Sequence, residues 1–174
     1  MDLRVKKTRK SIFDAFIEIR SKKPLEKITV KELADQAMIN KATFYLHFND
    51  IYHLSECIEN ELIKSVVEQV SQSGYELCNP YEITKLFIEV FSKEEKMTKI
   101  LFADNRMGIF VNKLEKEIKR FIFEKYPEYK NSMEKSIALS VLIQGSFHTY
   151  YNNSQFEDKL LKEVLSKLSE RILM

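Results

Sequence analysis

The sequence predicts an all-α protein, on three observations. Gly and Pro are scarce, three of each in 174 residues, while Leu, Ile, Lys and Glu are abundant, a composition that suits long helices and not a turn-rich sheet. Apolar residues recur three and four apart over most of the chain. Short polar residues with helix-capping chemistry stand immediately before several of these runs.

Taken in order, Met1 to Lys10 carries Arg4, Lys6, Lys7, Arg9 and Lys10 and reads as a flexible basic arm, suited to phosphates or to a minor groove. A first helix is expected from Thr8 to Ser21, with Ile12, Phe13, Phe16 and Ile17 as its buried stripe; Pro24 stops it, and Leu25 and Ile28 tuck under the helices that follow. Thr29 opens the next helix. Its hydroxyl can accept from the Glu32 amide while the Glu32 carboxylate reaches back, a capping box. Val30, Leu33, Ala34 and Ala37 form the narrow apolar face of that helix, and Asn40 caps a second one from Lys41 to Phe48. Phe44 and Phe48 share the inner face of the second helix, leaving Lys41, Thr43, Tyr45 and His47 directed elsewhere. Two short helices about a tight turn make a helix-turn-helix, and a cation, two hydroxyls and an imidazole on its second helix suit phosphate oxygens and base edges.

Asp50 caps a long helix from Ile51 to Ser73, with Leu54, Ile58, Leu62, Val66, Val67 and Val70 as apolar positions and a length of roughly 34 Å. Gly74 to Pro80 is the clearest break. Helices are then expected at Tyr81–Phe91, Glu94–Ala103 and Met107–Tyr126. Pro127 closes the last of these, and a polar loop runs to Ser132. The final two helices, Met133–Tyr151 and Phe156–Leu173, repeat apolar residues at three- and four-residue steps and carry more apolar surface than a two-helix edge buries alone.

Residues 1–47 hold 11 Lys and Arg against 6 Asp and Glu, whereas residues 48–174 hold 17 against 20, so a basic front is joined to a mildly acidic remainder. That asymmetry suits a nucleic-acid-binding head on a soluble body. Cys57 and Cys78 stand in no C-x-x-C or Cys/His cluster, which excludes a disulfide scaffold or zinc site; no metal and no cofactor is expected. No phosphate loop, nucleophile–base pair or pair of carboxylates in an apolar setting points to an enzyme. With no signal peptide and no apolar run of membrane-spanning length, a cytoplasmic protein is expected.

The order T-V-x-E-L-A, a short turn, then K-A-T-F-Y-x-H-F, over Thr29–Phe48, resembles the DNA-binding signature of the TetR/AcrR family of bacterial transcriptional regulators; with the flanking helices the resemblance spans residues 8–62. It implies a helix-turn-helix DNA-binding domain over residues 1–50. A helical effector-binding and dimerisation domain follows over residues 51–174, joined through the long helix. DNA contacts are implied for Thr29, Asn40, Lys41, Ala42, Thr43, Tyr45 and His47. Repression of a near-palindromic operator by a homodimer is implied as well, the last two helices of each copy forming a four-helix bundle. Val141, Leu142, Gly145, Leu161, Leu165 and Leu168 are the candidate interface residues. Two positions depart from the family pattern: Met38 stands where the turn usually has Gly, and Ile51 where a phosphate-binding Lys is frequent. They motivate an alternative, an accessory regulator of the same fold with weakened DNA binding. Aromatic residues gathered in the second half suit a site for a small, mostly apolar effector, with Phe87, Phe91, Phe102 and Phe110 as candidate walls and Gln144, His148 and Tyr151 as its polar groups.

Overall fold

The computed structural model describes residues 3–72, 80–153 and 155–173, and every regular element among them is helical. Helix α1 (Leu3–Arg20) leads through a 3₁₀ turn (Leu25–Lys27) to α2 (Val30–Gln36) and α3 (Lys41–Tyr45); α4 (Ile51–Ser71), α5 (Pro80–Leu101), α6 (Met107–Lys125), α7 (Pro127–Asn131), α8 (Met133–Asn152) and α9 (Asp158–Leu173) follow. The expected break at Gly74–Asn79, the residue Ser73, Cys78 and the side chain of Ile83 lie outside the described residues.

The chain divides into two compact units, one made of residues up to Leu62 together with Lys96–Arg106, the other of Ile63–Glu95 and the residues from Met107 on. In the first unit α1 buries Ile12, Ala15, Phe16 and Ile19, a stripe one step round from the expected one. The basic arm is not an arm: helix α1 already begins at Leu3. Arg9 holds it down, with its guanidinium 5.4 Å from the Phe13 ring centre, 5.0 Å from that of Phe48 and 3.3 Å from the Glu61 carboxylate. Phe16, Phe44, Phe48, Phe102, Leu33, Leu54 and Leu101 fill the core beneath it.

Two buried charges cross this unit. Arg20, with only 2% of its side chain exposed, donates to Asp104 at 2.9 Å and to the Lys23 carbonyl at 3.1 Å. Glu59, 1% exposed, accepts from Arg106 and from the Ser55 hydroxyl, both at 2.8 Å. The α5–α6 corner that supplies Asp104 and Arg106 takes Asp104 and Asn105 to φ 60° and 65°, a region that Asp and Asn enter more readily than other non-glycine residues.

Helix α5 is continuous where two helices were expected. Nothing at Ser92–Lys93 interrupts it, since neither residue is Gly or Pro, and the Ser92 hydroxyl stays inside the helix, donating to the Glu89 carbonyl at 2.9 Å. The expected loop before Ser132 contains the short α7, which Pro127 starts from its first position, where a missing N–H costs nothing. Ser132 then caps α8 by accepting from the Lys135 amide at 3.3 Å. In the second unit α6 buries Phe110, Val111, Leu114, Ile118 and Ile122. Pairs between Lys119 and Ser140 and between Asn112 and Gln144 show that α8 runs antiparallel to α6.

Candidate nucleic-acid interface and apolar cavity

The helix-turn-helix is built by local hydrogen bonds. Thr29 Oγ1 accepts from the Glu32 amide at 3.2 Å. The reciprocal half of the capping box is absent, because the Glu32 carboxylate bonds Lys23 instead. At the far end of α2 the Ile39 amide donates to Ala34 O at 2.9 Å and the Met38 amide to Asp35 O at 3.2 Å, the paired bonds of a Schellman turn. That turn requires a left-handed residue. Met38 supplies it at φ 54° with its side chain 94% exposed, so the chain bears the strain that Gly would avoid. Met38→Gly is expected to raise stability by about 0.5–1 kcal/mol, the relieved strain being partly offset by added freedom of the unfolded chain. A shift of the urea midpoint to higher concentration checks it; an unchanged or lower midpoint refutes it.

Asn40 Oδ1 accepts from the Thr43 amide at 2.7 Å and the Thr43 hydroxyl at 2.9 Å, starting α3. The helix is shorter than expected: it stops at Tyr45, and the amides of His47 and Phe48 both turn onto the Phe44 carbonyl. Asp50 ends the run by capping α4, accepting from the His53 amide at 2.7 Å. Phe44 and Phe48 are buried, with ring centres 5.8 Å apart. Thr29, Asn40, Lys41, Ala42 and Tyr45 are exposed, while Thr43 and His47 are half-buried. Leu46, 82% exposed, and Tyr52, 60% exposed, extend the same stretch of surface, though sequence reasoning passed over both. Ile51 is buried in the core of this unit.

The second unit holds a partly open cavity of about 100 Å³. Its walls are helical stripes: Thr84, Phe87, Ile88 and Phe91 from α5, Leu114, Ile118 and Ile122 from α6, Leu139, Leu142, Ile143, Ser146, Phe147 and Tyr150 from α8, and Val66 from α4. Of the residues expected there, Phe87 and Phe91 line it. Phe110 stands behind the wall, 5.7 Å from the Phe91 ring and 5.3 Å from that of Phe147. Phe102 belongs to the first unit. His148 is exposed, Tyr151 stacks on Phe147 at 6.2 Å, and neither lines the cavity. Gln144 faces α6, donating to Glu115 at 2.7 Å and Asn112 at 3.0 Å. The polar groups that do line the cavity are Thr84, Ser146 and Tyr150. For Ser146 and Tyr150 the signal was present as phase, since 139, 142, 143, 146, 147 and 150 make one helical stripe that excludes 144, 148 and 151.

The Gln144 network is structural. Burial pushes the Glu115 carboxyl up, but hydrogen bonds from Ser140, Gln144 and Lys119 outweigh it and hold the group below its ordinary value of 4.5. A carboxyl held low in the folded chain stabilises it above the unfolded value, and that contribution is lost as pH falls through the folded one. The melting temperature is therefore expected to drop on the acid side of pH 4.5, and Glu115→Gln to flatten that limb. Parallel acid limbs for the two proteins in a pH series of thermal melts rule this out.

Among the candidate interface residues, Leu142, Leu161 and Leu165 are buried within the chain's own core; Leu161 and Leu165 pack with Ile88. The apolar faces left open are Met133, Ile137 and Val141 on α8 and Leu160, Val164, Leu168 and Ile172 on α9. Gly145 is exposed as well. Each helix carries two apolar stripes, and the expected set mixed the inner with the outer one. Cys57 is a free, half-buried thiol that burial pushes up. Among the described residues no group of three or more His, Cys, Asp or Glu is placed to hold a metal ion, and no helix is long and apolar enough to cross a membrane.

No protein-family model and no curated protein sequence matches the chain. Solved structures do. A TetR-family transcriptional regulator from Syntrophomonas wolfei superposes with a TM-score of 0.69 at 17% identity, over 97% of this chain and 95% of that one. A TetR-like regulator from Rhodococcus gives 0.63 at 17% identity over 94% of each chain. A regulator of the same family from Aquifex aeolicus gives 0.62 at 19% identity, over 95% of this chain and 99% of the other. The chain thus has the fold of these regulators along nearly its whole length.

Proposed function

We propose that the protein is a cytoplasmic, DNA-binding transcriptional regulator that represses from a near-palindromic operator as a homodimer and is released by a small, mostly apolar effector. The observation that carries the reading is the α2–α3 unit, a capped helix-turn-helix that keeps Thr29, Asn40, Lys41, Ala42 and Tyr45 exposed above a buried Phe44–Phe48 pair. The fold shared with the three regulators supports it. In this reading residues 1–50 bind DNA, and residues 51–174 hold the effector and the second copy.

Lys41 reaches bases or phosphates, and Tyr45 and His47 reach phosphates. Thr43 gives its hydroxyl proton to Asn40 in the free chain and exchanges that bond for a phosphate oxygen on DNA. Two copies of one α3 need a two-fold axis to address two half-sites. The outer stripes of α8 and α9 supply the apolar surface for it.

An electrophoretic shift with DNA from around the protein's own gene tests the reading. Binding is expected to weaken steeply with salt, as counterions return to the phosphates. Lys41→Ala is expected to cost about tenfold, and Tyr45→Phe to weaken operator and non-specific DNA alike. If both variants bind the operator as the parent does, α3 is not the reading helix. If the parent binds no DNA, the protein is an accessory regulator.

A further inference from the structure

We infer that the cavity of the second unit selects a short, uncharged alcohol or phenol, its hydroxyl held at Tyr150 and Ser146 and its hydrocarbon lying toward Leu139 and Ile118. This rests on the reading of the cavity as an effector site and adds the chemistry of the occupant.

The cavity is polarised along its length. On α8 its wall runs from Leu139 to Tyr150, about 16 Å at the rise of a helix, and the side-chain oxygens of that wall, on Ser146 and Tyr150, stand in its last two turns. Toward Leu139 the α8 wall is hydrocarbon and is faced by Ile118 and Ile122 from the antiparallel α6, while Thr84 on α5 is the third hydroxyl of the lining. The space is small. At about 100 Å³ it is less than the roughly 150 Å³ of an apolar cavity that admits benzene, so a guest the size of phenol or 1-hexanol enters only as the walls adjust.

Charge and proton placement then narrow the head group. Among the described residues no Lys, Arg, His, Asp or Glu lines the cavity, so a charged guest would give up its water against an uncharged lining. The charge that touches the polar end is negative: Asp158 Oδ1 accepts the Tyr150 hydroxyl at 2.8 Å. A carboxylate guest would approach that anion, while the nearby Lys162 is already bonded to Asp158.

Because Tyr150 gives its one proton to Asp158, its oxygen has only lone pairs to offer a guest, and the group that completes it is a donor. An alcohol or phenol can donate to Tyr150 and also accept from the Ser146 hydroxyl, whereas an ether or ketone can only accept and leaves the Tyr150 oxygen without a donor. The proton's direction is fixed. Burial, then the hydrogen bond to Asp158, push the Tyr150 phenol far above its usual range. Burial raises Asp158, but bonds from Lys162 and Tyr150 outweigh it and hold its carboxyl low.

The test is titration calorimetry of the full chain at neutral pH with 1-hexanol, phenol, 1-methoxypentane, hexanoate and hexylammonium. 1-Hexanol or phenol is expected to bind at least about tenfold more tightly than the ether, the acid or the amine, a gap typical of one buried hydrogen bond or one desolvated charge. Tyr150→Phe is expected to bring alcohol and ether together; where that variant does not fold, the wild-type ratio of alcohol to ether decides. Equal binding of alcohol and ether, or a preference for hexanoate or hexylammonium, overturns the inference and leaves the cavity an effector site. Binding of none of the five overturns the inference together with the effector reading.

Discussion

Val164→Glu is expected to convert a dimer into a folded monomer and to cut specific operator affinity by at least about a hundredfold. Val164 is 46% exposed on α9, in line at four-residue steps with Leu160, Leu168 and Ile172, and α8 exposes Met133, Ile137 and Val141 as well. In the proposed bundle this stripe meets its own copy, and the substitution places two unpaired carboxylates where water is excluded. The loss on DNA exceeds the cost at the interface. A monomer binds one half-site, and the second half-site contributes through effective concentration, which is worth 10²–10⁴ in avidity on general grounds.

Sedimentation velocity at micromolar concentration and a mobility shift on the full operator give the two readouts. Leu165→Glu provides the contrast, because Leu165 is 4% exposed within the chain's own core and its replacement is expected to unfold the second unit. A Val164→Glu protein that sediments and binds as the parent does removes this face from consideration.

Arg106→Ala is expected to lower stability by about 3 kcal/mol, with no residue of the proposed DNA-binding surface altered. The cost lies in what is left behind. Glu59 has 1% of its side chain exposed and receives Arg106 at 2.8 Å; with the guanidinium gone, a buried carboxylate loses that charge-assisted bond while keeping the one from the Ser55 hydroxyl. Arg106 itself, 24% exposed, is the partner that water can partly satisfy, so Glu59→Gln is expected to cost less. A double replacement, Glu59→Met with Arg106→Leu, is expected to recover most of the loss, since breaking such a pair is expensive while replacing both members is not. Urea denaturation of the three variants decides it; additive losses in the double variant refute the pairing.

The parts legible in the sequence are those written in neighbouring residues. Thr29, Asn40, Asp50 and Ser132 each cap a helix through an amide three positions ahead, so residue type and spacing were enough to place those helix starts. The turn at Met38 was legible as a difficulty, a left-handed position without Gly, and the chain solves it by strain. What stayed hidden depends on helix phase and on distant partners. Tyr151 and Tyr150 differ by one residue, about 100° round the helix axis, and only Tyr150 lines the cavity. Choosing polar groups by chemical type led to Gln144, His148 and Tyr151, whereas the α8 stripe led by Leu139 and Leu142 selects Ser146 and Tyr150. For α8 and α9, apolar residues on two sides leave inner and outer stripes indistinguishable until the neighbouring helices are known. The basic start of α1 read as an arm because Phe48 and Glu61, which hold Arg9, lie far along the chain.

The end of α5 and the corner after it belong to the first unit, and this sets an order of events during synthesis. Residues 1–62 leave the ribosome with Arg20 and Glu59 already in place but without Asp104 and Arg106, and without Leu101 and Phe102 to complete the core. About forty more residues must be translated before those partners exist, roughly 2–9 s at 5–20 residues per second. Until then the nascent first unit lacks the two residues to which Arg20 and Glu59 bond in the folded chain, and its completion waits on the end of α5 and the corner after it.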